Sequence, residues 1–96
     1  MDKSFKALAD PTRRRILEML RDRDLPAGEI AAAFPVAWAS VSHHLGVLKD
    51  AGLVLARRDG QQIRYSLNTT VLQDLMQHLL DFIPATRKRR KERSDA

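Results

Sequence analysis

Apolar positions recur at helical spacing through the first half of the chain, then switch to alternation, then return to helical spacing. Residues 3–9 read as a short helix with Phe5, Leu8 and Ala9 on one face. Asp10-Pro11 then punctuates: Asp10 suits an N-cap and Pro11 the first helical position. A second helix is expected from Pro11 to about Asp22, with Ile16, Leu17 and Leu20 as its apolar stripe. Residues 22–26 form a connection in which Leu25 is a single buried plug or a one-residue strand. A third helix runs from about Ala27 to Phe34, its inward side made by Ile30, Ala31 and Phe34. After the turn Phe34-Pro35-Val36, a fourth helix starts near Ala37 and ends at Asp50 or Ala51. Val41, Leu45 and Leu48 fall at i, i+4 and i+7, and Gly52 stops the helix. Leu53 to Arg58 and Ile63 to Leu67 are extended, and Asp59-Gly60 between them signals a hairpin. Ile63, Tyr65 and Leu67 alternate with Gln62, Arg64 and Ser66. Asn68-Thr69-Thr70 supplies caps for a last helix at about 70–83, which Pro84 ends.

This pattern predicts a mainly α fold with a small β-hairpin, in the order α-α-α-α-β-β-α. The short break between helices three and four is the turn of a helix-turn-helix, and the hairpin is its wing. Residues 1–84 form the single folded domain, and residues 85–96 a basic tail expected to be disordered.

The last helix carries Val71, Leu72, Leu75, Met76, Leu79, Leu80, Phe82 and Ile83, too many apolar residues for one stripe. In a chain of 96 residues such a two-sided helix calls for a second copy.

Net charge is +5, yet residues 85–96 hold +4 of it, which leaves the folded part near +1. The case for an anionic partner therefore depends on where the other charges fall. Past the first turn of helix four, the outward positions are Ser40, Ser42, His43 and Gly46, and no acidic residue stands between Glu29 and Asp50. A helix with short polar side chains on one face fits the DNA major groove. Arg57, Arg58, Gln61, Gln62 and Arg64 make the hairpin basic and polar, suited to phosphate contact or a reach into the minor groove.

The chain has no cysteine, which excludes disulfides and thiolate metal ligands. No nucleophile is paired with a base, and no glycine-rich phosphate loop or carboxylate cluster appears, so no enzyme activity is expected. No segment has the length and apolarity of a membrane span or signal peptide, so the chain reads as cytoplasmic. A protein-interaction module, with the apolar last helix docking a partner, is the competing reading. Simpler roles stand beside the functional ones. Arg13, Arg14 and Arg15 are a solvated face or include one phosphate contact. His44 reads as a partly buried structural residue, and His78 as exposed or at a dimer seam.

Three blocks carry a family resemblance: Asp10-Pro11-Thr12-Arg13-Arg14-Arg15-Ile16-Leu17, Val41-Ser42-His43-His44-Leu45-Gly46-Val47-Leu48 and Ala51-Gly52-Leu53-Val54. In that order, before a basic hairpin, they resemble the ArsR-type winged helix-turn-helix repressors over roughly residues 3–83. The run Tyr65 to Gln73 is most similar to the sporulation-delaying-protein autorepressor subgroup. The resemblance implies a homodimer built from the first and last helices, with Phe5, Leu8, Leu72, Leu75, Met76, Leu79, Phe82 and Ile83 at the seam. It implies a recognition helix at 38–50, in which Trp38, Ala39, Ser40, Ser42 and His43 meet double-stranded DNA, and a wing at 53–67. It also implies repression by occlusion, including autoregulation.

Two departures stand out. Metal-sensing members place cysteines where this chain has Leu25-Pro26-Ala27-Gly28. Its last helix offers Asp74, His78 and Asp81 without the family's second His-x-x-Glu half. No metal and no cofactor are expected, so the signal is a small molecule, a sequestering protein partner, or concentration alone. Helix four also opens on Ala37-Trp38-Ala39 instead of a polar cap. For Trp38, packing on sugar or a thymine methyl and folding back onto Phe34 both remain open.

Overall fold

The computed structural model describes residues 2–84; the basic tail and its expected disorder lie outside them. Among the described residues, five helices and three strands follow in the order α1 (Asp2–Leu8), α2 (Pro11–Met19), β1 (Leu25–Pro26), α3 (Ala27–Ala32), α4 (Trp38–Asp50), β2 (Val54–Asp59), β3 (Gln62–Leu67) and α5 (Thr69–Leu80). The strands form one antiparallel sheet in the order β1-β3-β2.

Local chemistry accounts for most element ends. Asp10 caps α2 by accepting from the Arg13 amide at 3.0 Å, with Pro11 at the first helical position. Asn68 caps α5 through the Val71 amide at 3.4 Å. Helix α4 starts at Ala37 with no side-chain cap. It ends in a Schellman arrangement: Gly52 takes φ +77°, its amide donates to Lys49, and the Leu53 amide donates to Leu48. The hairpin loop is Gly60-Gln61, because Asp59 still pairs with Gln62. Gly60 has φ +65° and Gln61 has no positive φ, as a type II′ turn requires.

Four expectations about element bounds shift. Helix α2 stops at Met19 and not near Asp22: the Leu20 amide still bonds to Ile16, but the Arg21 amide reaches only Glu18, three residues back, which tightens and ends the last turn. Helix α3 stops at Ala32, two residues before Phe34. Helix α5 stops at Leu80, and Phe82 and Ile83 lie on a tight turn beyond it, bonded to Leu79 and Leu80. Leu25 is part of a two-residue strand, paired with Tyr65 while Pro26 pairs with Arg64.

The core is built from Ile16, Ile30, Val41, Leu45, Leu48, Leu53 and Val54, with Leu75 closing it from α5. On α1 the buried side is Ser4 and Ala7, not Phe5, Leu8 and Ala9. Small side chains there let α1 lie close to α4, and the Ser4 hydroxyl donates to the Ala51 carbonyl at 3.3 Å. Phe5 and Leu8 are left half-buried at the rim.

Candidate nucleic-acid interface

Helix α4 is anchored by one stripe and bare on the other. Val41, Leu45 and Leu48 are buried, and the 3.6-residue period turns Ala39, Ser40, Ser42, His43 and Gly46 away from them. All five are exposed. Gly46 adds a second observation: a Cβ built there meets nothing within 4 Å. Glycine inside a helix costs about 1 kcal/mol relative to alanine. The protein's own packing gives no reason for it here.

The wing stands beside this face. Antiparallel pairing sets Arg57 opposite Arg64 and Arg58 opposite Ile63. Opposed residues share a side of a sheet, so Arg57 and Arg58 point to opposite sides. Arg57 shares its side with Leu55, Asp59, Gln62 and Arg64. Like charges directly opposite repel, but Arg64 is tied to Asp59 at 3.2 Å and is itself half-buried. Among the described residues Arg57 and Arg58 make no ion pair, and both are exposed, as are Gln61 and Gln62 at the tip. Of the predicted wing contacts, Arg64 is therefore the one already engaged within the chain.

Trp38 is 53% exposed and shares an open cleft of about 370 Å³ with Ala27, Gly28, Gln61, Gln62 and Ile63. It lies on the flank of α4 that faces the wing. Val36, just before it, is also exposed.

Residues 8–57 match the family model described as a helix-turn-helix domain. The chain is 52% identical to the transcriptional repressor SdpR of Bacillus subtilis over 83 residues, covering 86% of this chain and 92% of the relative. It is 40% identical to the regulator CmtR of Mycobacterium tuberculosis over 80 residues, covering 83% of this chain and 68% of that one. Among solved structures, it superposes on a possible transcriptional regulator for arsenical resistance with TM-score 0.77 and 35% identity, covering 85% and 84% of the two chains. It matches an ArsR-like regulator from Rhodococcus with TM-score 0.74 and 34% identity, over 93% and 83%. The chain belongs to the ArsR family of winged helix-turn-helix transcriptional regulators. Its relatives are regulators of transcription and not enzymes.

Two of the blocks that carry the ArsR resemblance meet in space. The Arg13 guanidinium reaches back to the carbonyls of Ala7 (2.8 Å) and Lys6 (3.1 Å) and across to His44 Nδ1 (3.1 Å). Asp10 Oδ2 stands 3.8 Å from the same nitrogen. The Arg13 amide bond holds the Asp10 carboxyl below the usual carboxylate range; partial desolvation opposes this, and the nearby Arg13 guanidinium adds to it. Arg14 donates to the Leu8 carbonyl at 2.7 Å, and Arg15 pairs with Glu18 at 3.2 Å. The three arginines are thus tied within the chain. For Arg13 and Arg14 sequence pattern alone missed this, because the partners are backbone carbonyls six and seven residues back and a histidine on another helix.

The α1–α5 side is apolar and open. Met76 is 62% and Phe82 66% exposed, with Leu79 and Ile83 also outward. Leu72 is half-buried; Leu75 differs from the rest of the expected seam, being inside the protomer's own core. His78 stacks between Phe5 (ring centroids 6.0 Å apart) and Phe82 (5.2 Å, edge-on). Among the described residues no three His, Asp or Glu side chains gather as a metal site would need, and no helix is long and apolar enough to cross a membrane.

Proposed function

We propose that this DNA-binding repressor acts as a homodimer in the cytoplasm. It binds an inverted-repeat operator, including one in front of its own gene, and blocks transcription by occupying it. Its signal does not pass through a metal. The observation that carries the reading is the bare outer face of α4, Ala39 to Gly46, beside exposed arginines on the wing. The hydroxyls of Ser40 and Ser42 and the ring of His43 reach base edges or phosphate in the major groove. Arg57 and Arg58 grip the backbone on either side of the wing. Trp38, in the cleft between the two, packs against sugar or a thymine methyl. Two-fold pairing through α1 and α5 sets the recognition helices one helical turn apart, about 34–36 Å.

Binding measured against salt on the protein's own upstream region and on random DNA tests this reading. His43→Ala lowers specific affinity by about 1–3 kcal/mol and leaves random-DNA binding intact. Arg57→Ala lowers affinity on every sequence and flattens the salt slope by about one. Equal losses for His43→Ala on both DNAs remove it from base readout.

Gly46→Ala separates fold from function. The variant gains up to about 1 kcal/mol in urea unfolding, since the space is open and alanine favours the helix. Its DNA affinity falls, because the added methyl stands between α4 and the groove. A more stable protein with unchanged affinity would show that α4 does not approach DNA at this point.

A further inference from the structure

We propose that Arg13 is a positioning residue for DNA binding, acting through His44 to fix the recognition helix against the helix offered to the partner subunit. The proposal rests on the reading of α4 as the recognition helix.

One side chain spans three elements here. Arg13 sits on α2, holds the last carbonyls of α1, and touches α4 at His44. Its α1 bonds alone would cap that helix. The bond to His44 adds nothing to the cap; its effect is on α4. The His44 side chain is 16% exposed and lies on the flank of α4 away from Trp38. Its sequence neighbour His43 points outward, the two rings 5.8 Å apart. A small rotation of α4 about its axis would therefore break the Arg13 bond and swing His43 together. The Ser4–Ala51 bond ties the far end of α4 to α1, so the helix is held at its middle and its C-terminus. The uncapped N-terminal turn, with Trp38, is left to the DNA side.

The chemistry fixes a tautomer. A guanidinium has five N–H donors and no acceptor, so an Arg13–His44 hydrogen bond requires that His44 Nδ1 accept and that the ring proton reside on Nε2. A proton on Nδ1 would set two donors face to face. The charged neighbours of the ring are Arg13 and Asp10 from the α2 side, and the His43 ring is its neighbour on α4 itself; α1 contributes backbone carbonyls through Arg13, with the Lys6 side chain exposed beyond. In a two-fold dimer, α1 belongs to the seam and α4 to the groove. The clamp thus sets the angle at which each recognition helix leaves the dimer, on which half-site register depends.

Substitutions at His44 distinguish positioning from packing. His44→Leu keeps bulk and removes the acceptor. His44→Asn returns an oxygen near the position of Nδ1. The ratio of operator to random-DNA affinity is measured for both, beside urea unfolding. The expected result is a fall of about tenfold or more for His44→Leu and for Arg13→Ala. The double variant is no worse than either single one, as a shared interaction requires. His44→Asn recovers most of the ratio. Arg14→Ala, which loses only the Leu8 carbonyl, lowers stability and leaves the ratio unchanged. ¹⁵N spectra of the natural chain with its operator show His44 with an unprotonated Nδ1. A normal ratio for His44→Leu, equal losses for the Asn and Leu variants, or a protonated Nδ1 in the complex overturns the proposal. His43→Ala serves as the reference. If it lowers the ratio while His44→Leu does not, the clamp alone is wrong; if neither does, the assignment of α4 is wrong as well.

Discussion

With Met76 and Leu79 both replaced by glutamate, the protein is a monomer by light scattering, and operator affinity falls at least about a hundredfold. Both side chains are exposed in the single chain and lie on α5, so the substitution leaves the protomer's own core untouched. Burying four carboxylates in a two-fold apolar seam costs far more than the seam gains. Two tethered recognition helices bind at an effective concentration that a single one lacks, which sets the scale of the loss. Glutamate is a good helix former, so α5 itself is kept. A dimer mass that survives the substitutions would place the seam elsewhere.

Leu48→Ala lowers unfolding free energy by about 3–5 kcal/mol in urea titration, a large part of what a small domain holds in total. Leu48 is fully buried, and its carbonyl also receives the Leu53 amide that turns the chain from α4 into the wing. The side chain thus anchors α4 near its end and the entry to β2. The measurement is made at several protein concentrations, since the proposed dimer makes stability concentration-dependent. A loss under about 1 kcal/mol would mean that the site repacks and that α4 is not held as described.

Elements set by local chemistry were readable from the sequence. The stripe of α4, the caps Asp10 and Asn68, the stop at Gly52 and the hairpin signal each depend on residues within a few positions of one another. What escaped was set by distant parts of the chain. Leu25 becomes a strand because β3, forty residues later, gives it a partner at Tyr65. Ser4 and Ala7 are buried in place of the larger Phe5 and Leu8 because α4 comes close at that point and admits only small side chains. Leu75 belongs to the core and Met76 does not, a choice made by which side of α5 faces the rest of the chain and not by hydrophobicity.

The interface divides in the same way. The outward set on α4 followed from helical period alone. The wing was only half readable: alternation predicts which residues share a side, but not that Arg64 is held by Asp59 while Arg57 and Arg58 are free of ion pairs among the described residues. Arg13 looked like one of three equivalent surface arginines. What sets it apart is its contact with a nitrogen of His44, thirty-one positions away.

Methylation protection with dimethyl sulfate tests the docking most directly, because the reagent marks guanine N7 in the major groove and adenine N3 in the minor groove. On the upstream region, the account predicts two patches of protected guanine N7, about one helical turn apart and related by two-fold symmetry, with the same patches weakened in His43→Ala. Guanine N7 left fully reactive beneath the bound protein, with only adenine N3 protected, would contradict it.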